Sequence, residues 1–245
     1  MRGTVARPPC AGDRFVLPWS NQLFRQEQWY THMDYDREYA RTGAYFGVEP
    51  EQILVDHVDL LDRDRPILDI GVGQGRHALY LAANGFVVHG IDPSEEAIRS
   101  VAEKAHAANL PVRVTRDGFD TYRAPDHTYG AVLLFGLLPI LPRRQTEGLL
   151  RAVDNWIAAD GLVFVTAFST SDPAYPMHRD QWREIGRNSF TDNRGDIRSY
   201  LEPDEILELF DGWEVVFHDE AEGPLHRHGN GPEHYHGLIR AVFRR

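Results

Sequence analysis

Ile67-Leu68-Asp69-Ile70-Gly71-Val72-Gly73-Gln74-Gly75-Arg76 is the stretch that decides the fold. A short apolar run, residues 66–70, breaks into three glycines at alternate positions. A stretch of helical character follows, His77-Ala-Leu-Tyr-Leu-Ala-Ala-Asn84. Without Cβ atoms, Gly71, Gly73 and Gly75 let the backbone turn sharply and approach a ligand closely. The helix that follows presents unpaired N–H groups to that turn. Residues 86–91 then read as a second buried strand, with Asp92 at its carboxyl end, twenty-one residues after Gly71. A carboxylate at that point can accept both hydroxyls of a ribose, as in mononucleotide-binding α/β folds.

The glycine spacing bears on which nucleotide. The dinucleotide fingerprint is G-x-G-x-x-G, which sets a pyrophosphate on the helix N-terminus. Here the run is G-x-G-x-G and follows Asp69. A carboxylate beside the loop repels a pyrophosphate and suits a ligand carrying an ammonium and a sulfonium. The pattern resembles motif I of class I S-adenosylmethionine (SAM) methyltransferases.

Composition narrows the class. The chain has 245 residues, long enough for one large domain with a full core. At 42% hydrophobic and 26% charged it reads as an ordinary globular protein. No apolar run approaches the length of a membrane span, and the first residues lack the apolar core of a signal peptide. One cysteine, Cys10, excludes an internal disulfide and a multi-cysteine metal site. A cytoplasmic location is the expectation. The formal net charge of −11 argues against extended nucleic-acid contact, which needs a basic stripe. All of the 26 basic side chains except Lys104 are arginine, so a single arginine carries little weight by itself.

Residues 1–27 are proline-rich and aperiodic and read as an arm or lid, and 28–245 as the catalytic domain, with substrate-covering insertions near 172–199 and 219–236. Residues 28–63 look helical. Strands are expected at 66–70, 86–91, 112–116, 131–135 and 162–168, with helices at 75–84 and 143–158. Another helix starts at Ser94, a good N-cap followed by Glu95 and Glu96, acids that the helix dipole favours. The apolar strands fit a parallel sheet covered on both faces. Helix 203–210, then Trp213–His218 and Leu238–Phe243, suggest a closing hairpin around an irregular loop. The expected architecture is a Rossmann-like, doubly wound α/β fold.

Further candidates sit at strand ends. After the third strand come Asp117, Gly118 and Phe119: an acid for the exocyclic amine of adenine and an aromatic to cover the ring. Alone they read as a turn with a core Phe; with the glycine loop upstream, adenine contact is the reading. After the fourth strand, Phe135 and Gly136 occupy the crevice where ligands lie in open α/β sheets. Gly136 lets backbone carbonyls meet the methionine part of the cofactor. The Asn/Asp-Pro-Pro-aromatic run usual in DNA amino-methyltransferases is absent there. The segment 218–236 holds His218, His226, His228, His234 and His236 among acids. Its His-x-His pairs could ligate a metal, since alternate strand residues share a face. The spacing is not specific for one, so the segment is assigned to substrate first and no metal is expected.

Two segments together resemble the tellurite-resistance (TehB-type) branch of SAM methyltransferases: 68–85, with its Leu-Asp-Ile-Gly-Val-Gly-Gln-Gly-Arg run, and 212–227, ending Gly-Pro-Leu-His-Arg. Glu38-Tyr-Ala-Arg41-Thr-Gly43 is a fainter echo. The resemblance implies a mostly parallel seven-stranded sheet ending in an antiparallel hairpin. It implies SAM as cofactor and S-adenosylhomocysteine as product, with Arg41 and Pro93 beside the cofactor. It also implies that His226 and Arg227 stand over the transferred methyl, where they could hold an oxyanion, His226 also accepting a proton. Val72 replaces the common Cys, His77 the common Asn, and the His-rich continuation lies outside the pattern. The expected acceptor is a small molecule or soft oxyanion such as tellurite, selenite or a thiol. Competing readings are an O- or N-methyltransferase of secondary metabolism, with a pocket built from the arm, 172–199 and 219–236, and a SAM- or metal-binding protein without turnover.

Overall fold

The computed structural model describes residues 34–227 and 233–245; the expected arm at 1–27 and the expected helix over 28–33 lie outside them. Five parallel strands form the centre: β1 (Ile67–Ile70), β2 (Val88–Asp92), β3 (Val112–Arg116), β4 (Tyr129–Leu134) and β5 (Ile157–Ser169), ordered β3-β2-β1-β4-β5. Order reverses between β1 and β4, which opens the crevice above their carboxyl ends. The chain after β1 is the glycine loop, and the chain after β4 is Phe135-Gly136.

Before the sheet lie α1 (Tyr35–Arg41), α2 (Gln52–Asp56) and a 3-10 turn at Val58–Leu60. The helix expected through this region is therefore broken. Gly43, Gly47 with a φ of +82° and Pro50 interrupt it. Crossovers are α3 (Arg76–Ala83), α4 (Glu95–Ala107) and α5 (Arg143–Trp156). Ser94 caps α4 as expected, its side chain accepting the Ala97 N–H. The helix α5 ends at Trp156 and the chain runs straight into β5. Asp160 there has a φ of +63°, and the β4–β5 register shifts between Tyr129 and Ala131. The central strands β1 and β4 are buried along their whole length, as a sheet covered on both faces requires. One face packs Leu68, Ile70, Val132 and Leu134 against α5. The other packs Ile67, Leu133 and Phe164 against α3.

After β5 come α6 (Tyr175–Gln181), β6 (Arg183–Gly186), β7 (Ser189–Thr191), β8 (Ile197–Leu201), α7 (Glu205–Leu209), β9 (Glu214–Glu222) and β10 (Gly237–Arg244). The expected hairpin is present: β10 runs antiparallel to both β5 and β9. The count of seven strands needs correction, because the described residues hold ten in one sheet. The expected seven are β1–β5 with β9 and β10; the additional three form the meander β6-β7-β8. Strand β5 outruns β4, whose last partner is Val165, and pairs Phe168 and Ser169 with Tyr200 and Leu201 of β8. Because β10 already holds the other edge of Phe168, the meander continues the sheet beyond the carboxyl end of β4. Together with α6 it makes up the expected insertion 172–199.

Candidate functional site

The glycine loop is built around positive φ: +73° at Gly71, +50° at Gly73 and +87° at Gly75. Gly71 and Val72 N–H both donate to the Ile91 carbonyl, tying the loop to the end of β2. Asp92, nearly buried, accepts the Gly73 N–H at 2.9 Å on one oxygen and the Ser94 N–H at 2.9 Å on the other. Burial pushes its pKa up to about 6, against the pull of these two N–H groups. The expected ribose acceptor is thus held rigidly at the loop, with lone pairs left on both oxygens.

Asp69 lies directly below. It is fully enclosed, with the Ala78 N–H of the first turn of α3 bonded to it. Its Oδ2 has no hydrogen-bond partner among the described residues. Burial pushes its pKa up to about 7; Asp92 adds to the rise and Arg76 opposes it. A buried carboxylate with an unsatisfied oxygen calls for a cation. This is the observation by which the residues fit SAM, whose ammonium and sulfonium are cationic.

At the carboxyl end of β4, the Phe135 ring lies 4.4 Å from that of His77, and Gly136, with a φ of +67°, donates its N–H to Thr166 at 2.9 Å. Among the described residues, nothing lies within 4 Å of where its Cβ would stand. His77 is buried, its Nε2 lacks a partner among the described residues, and burial holds it neutral. Asp117 follows the end of β3, its N–H donating to the Asp92 carbonyl. Its carboxylate accepts the Gly118 N–H and the Thr121 hydroxyl, so one oxygen also serves the turn. Phe119 is half-buried against the apolar core. Pro93 is exposed and gives its carbonyl to Arg116. These residues follow the carboxyl ends of β2, β3 and β4, which lie on either side of β1.

Arg41 does not join them in the same way. It is exposed and pairs with Glu38 at 3.6 Å. Tyr39 of the same helix, about 200° around from Arg41, faces inward instead. A Cβ on Gly73 would lie 3.2 Å from the Tyr39 hydroxyl. Three residues of this first segment and its anchor escaped sequence reasoning. Asp36 accepts the Ser94 hydroxyl and the Glu96 N–H, capping α4 from 58 and 60 residues away. Tyr39 roofs the loop. Gln74 fastens the segment by accepting the Tyr45 N–H at 2.6 Å and donating to the Thr42 carbonyl at 2.5 Å. The one legible signal was the aromatic spacing of Tyr35 and Tyr39.

On the hairpin, His226 and His234 face each other across a two-hydrogen-bond bridge. Arg227 is exposed and pairs with Glu233 at 2.7 Å. Behind them, the meander and α6 supply an aromatic wall: Tyr175, Phe190 and Tyr200 in mutual ring contact. His178 is set against Trp182 and bonded to the Tyr200 hydroxyl at 2.5 Å. Burial first, then Arg198, lowers the His178 pKa to about 4. Among the described residues no helix is long and apolar enough to cross a membrane.

Residues 67–161, from β1 to the first residues of β5, match the methyltransferase domain family. Hemagglutinin 1 of Eikenella corrodens is 27% identical over 65% of this chain and 47% of its own. TehB of Haemophilus influenzae, a probable SAM-dependent methyltransferase, is 23% identical over 77% of this chain and 61% of its own. (S)-coclaurine N-methyltransferase of Thalictrum flavum is 32% identical over 47% of this chain and 33% of its own. The chain thus spans a third to three fifths of the length of these relatives. The crystal structure of Haemophilus influenzae TehB superposes with a TM-score of 0.65 at 18% identity, covering 86% of this chain and 67% of that one. Residues 67–161 are thus similar to a methyltransferase domain, and the chain resembles TehB in sequence and in fold.

Proposed function

We propose that this protein transfers a methyl group from SAM to a small molecule or soft oxyanion of the tellurite, selenite or thiol type. The observation that carries the cofactor half is Asp69, a fully enclosed carboxylate with an unsatisfied oxygen beneath a loop of positive-φ glycines. When bound, SAM supplies a methyl carbon on a sulfonium whose C–S bond breaks as the acceptor's lone pair attacks, leaving S-adenosylhomocysteine. The chain must then position, enclose and balance charge. Asp92, fixed by two N–H groups, holds ribose hydroxyls, and Asp69 balances the ammonium. Asp117 with Gly118 and Phe119 borders the adenine. Phe135 and Gly136 line the methionine side, and Pro93 and Arg41 lie at the margin of that site.

His226 and Arg227 are the proposed acceptor residues. Arg227 is already engaged by Glu233 across the hairpin, so its charge is positioned rather than loose. Turnover is expected to fall in His226→Ala and Arg227→Ala while SAM affinity holds; unchanged turnover in both would remove them from the reaction. A second reading, an O- or N-methyltransferase with an organic acceptor, is favoured by the aromatic wall of Tyr175, Phe190 and Tyr200. Methyl-labelled SAM offered with tellurite, selenite, thiol, phenol and amine panels separates the two. Label in volatile tellurium, selenium or sulfur products supports the first, and label confined to organic acceptors supports the second. Tight SAM binding without transfer to any panel would favour a non-catalytic binder.

A further inference from the structure

We propose that His226, His234 and His236 form a binding site for one divalent transition-metal ion of the zinc, cobalt or nickel class, with Asp172 orienting His236 from behind. The three imidazoles bring one ring nitrogen each to within 4.8 Å of one another. Their ring centroids close a triangle of 4.6, 5.2 and 4.9 Å. Tetrahedral coordination with metal–nitrogen distances of about 2.0–2.1 Å sets such nitrogens about 3.3 Å apart. The rings therefore need to close by no more than about 1.5 Å, a side-chain adjustment.

The fold builds this triangle. His226 and His234 are backbone partners, each accepting the other's N–H, at 2.9 and 2.8 Å. His236 follows His234 by two residues, the spacing that returns an extended chain to the same face. Two rings also have their tautomer assigned by their neighbours. His226 Nδ1 lies 2.9 Å from the Pro224 carbonyl, and His236 Nδ1 lies 2.8 Å from an Asp172 oxygen. Each contact is to an acceptor, so Nδ1 is the hydrogen-bearing nitrogen, and a metal-bound ring would coordinate through Nε2.

Asp172 is 1% exposed and is itself fixed, accepting the Ala174 N–H at 2.8 Å and the Gly237 N–H at 3.1 Å. A buried carboxylate hydrogen-bonded to the far nitrogen of a histidine is the usual support behind a metal-bound imidazole. Phe168 stacks on His236 at 4.0 Å and fixes its plane. A second grouping, Asp204, His218 and Glu220, carries no such inference. There Glu220 already serves both His218 and the Asp204 N–H.

Three imidazole ligands without a thiolate select metals of borderline softness and leave a coordination position open. Since β10 begins at Gly237 beside Phe168 of β5, the triangle stands at the same carboxyl end of the parallel strands as the glycine loop. The open position suits an anionic oxygen or sulfur ligand. On this assignment His226 is a metal ligand, and Arg227 beside it supplies a positive charge held in place by Glu233.

The test uses untagged full-length protein, dialysed against chelator and titrated with Co²⁺ alone, with absorption spectra and Zn²⁺ competition. One Co²⁺ per chain is expected, with visible bands that Zn²⁺ abolishes. His234→Ala and His236→Ala should abolish the bands, Asp172→Asn should weaken binding about 10–100-fold, and His218→Ala should leave it unchanged. His234→Gln and His236→Gln keep polar side chains at these positions should the alanine variants unfold. Circular dichroism and SAM binding report folding separately. No stoichiometric uptake, uptake unaltered by the His234 and His236 variants, or loss on His218→Ala overturns the assignment, whatever the methyl-transfer assays show.

Discussion

Replacing Asp69 by asparagine should raise the stability of the empty protein and remove its response to SAM. The carboxylate sits in full enclosure, and its pKa rises from an ordinary 3.8 to about 7. At about 1.4 kcal/mol per pH unit, ionising it in place costs at most about 4 kcal/mol. Water entry and the effective dielectric of a real site reduce this to roughly 2 kcal/mol. The sign follows from proton binding. The folded chain holds the proton more tightly than the unfolded chain, so this stabilisation is complete below pH 3.8 and is lost as pH rises through 7. The asparagine side chain does not titrate, and its carbonyl still accepts the Ala78 N–H. The gap between variant and wild type should open across that window and reach about 2–4 kcal/mol at pH 8. For a domain of this size that is on the order of 5–15 °C in melting temperature. Differential scanning calorimetry from about pH 4.5 to 8.5, with and without saturating SAM, reads both effects. A variant that melts at or below wild type at the alkaline end with the same pH slope would refute the electrostatic argument. A variant that keeps the full SAM-induced rise would refute the role of Asp69 as counter-charge.

Asp92→Ala removes the carboxylate that joins Gly73 to Ser94 and accepts the ribose; SAM affinity measured calorimetrically should fall by about 1.5–3 kcal/mol, roughly 10–150-fold. Gly75→Ala meets both a φ of +87° and a Val101 methyl 2.9 Å from the new Cβ, and should destabilise by about 2–3 kcal/mol in urea titration. Glu205 is 2% exposed and binds Arg143, Arg187 and the Glu202 N–H. Glu205→Ala leaves the half-buried Arg143 charge uncompensated and should cost about 3–5 kcal/mol by the same titration.

The cofactor half was legible because its signals are local. Asp69, the three glycines and Asp92 lie within two dozen residues, and each has a backbone reason for its position. The same holds for the strand of Val112–Arg116 and the cap at Ser94. What escaped depends on distant pairing. Asp36 caps a helix far down the chain, and an aspartate in an acidic helix carries no mark of that partner. The meander escaped because β6, β7 and β8 are three to five residues long and mix Ser, Thr and Arg with apolar residues, so no alternation stands out. They are strands because β5 projects past β4 and offers an edge to pair with. The histidines were visible as residue types. Their convergence follows from a hairpin register that spacing does not fix.

Because β5 serves β4 and β8 on one edge and β10 on the other, the described sheet branches and ends in three outer strands rather than two: β3, β6 and β9. Each end is an exposed row of backbone donors and acceptors on which a foreign strand could assemble. All three carry charge. Arg113 and Arg116 stand on β3, Arg183 and Glu184 on β6, and Glu214, Asp219, Glu220 and Glu222 on β9. Self-association through β9 would bring acidic rows together, and through β3 arginines, both repulsive at the spacing of paired strands. Pairing of one copy on another through either of these two edges is thereby disfavoured.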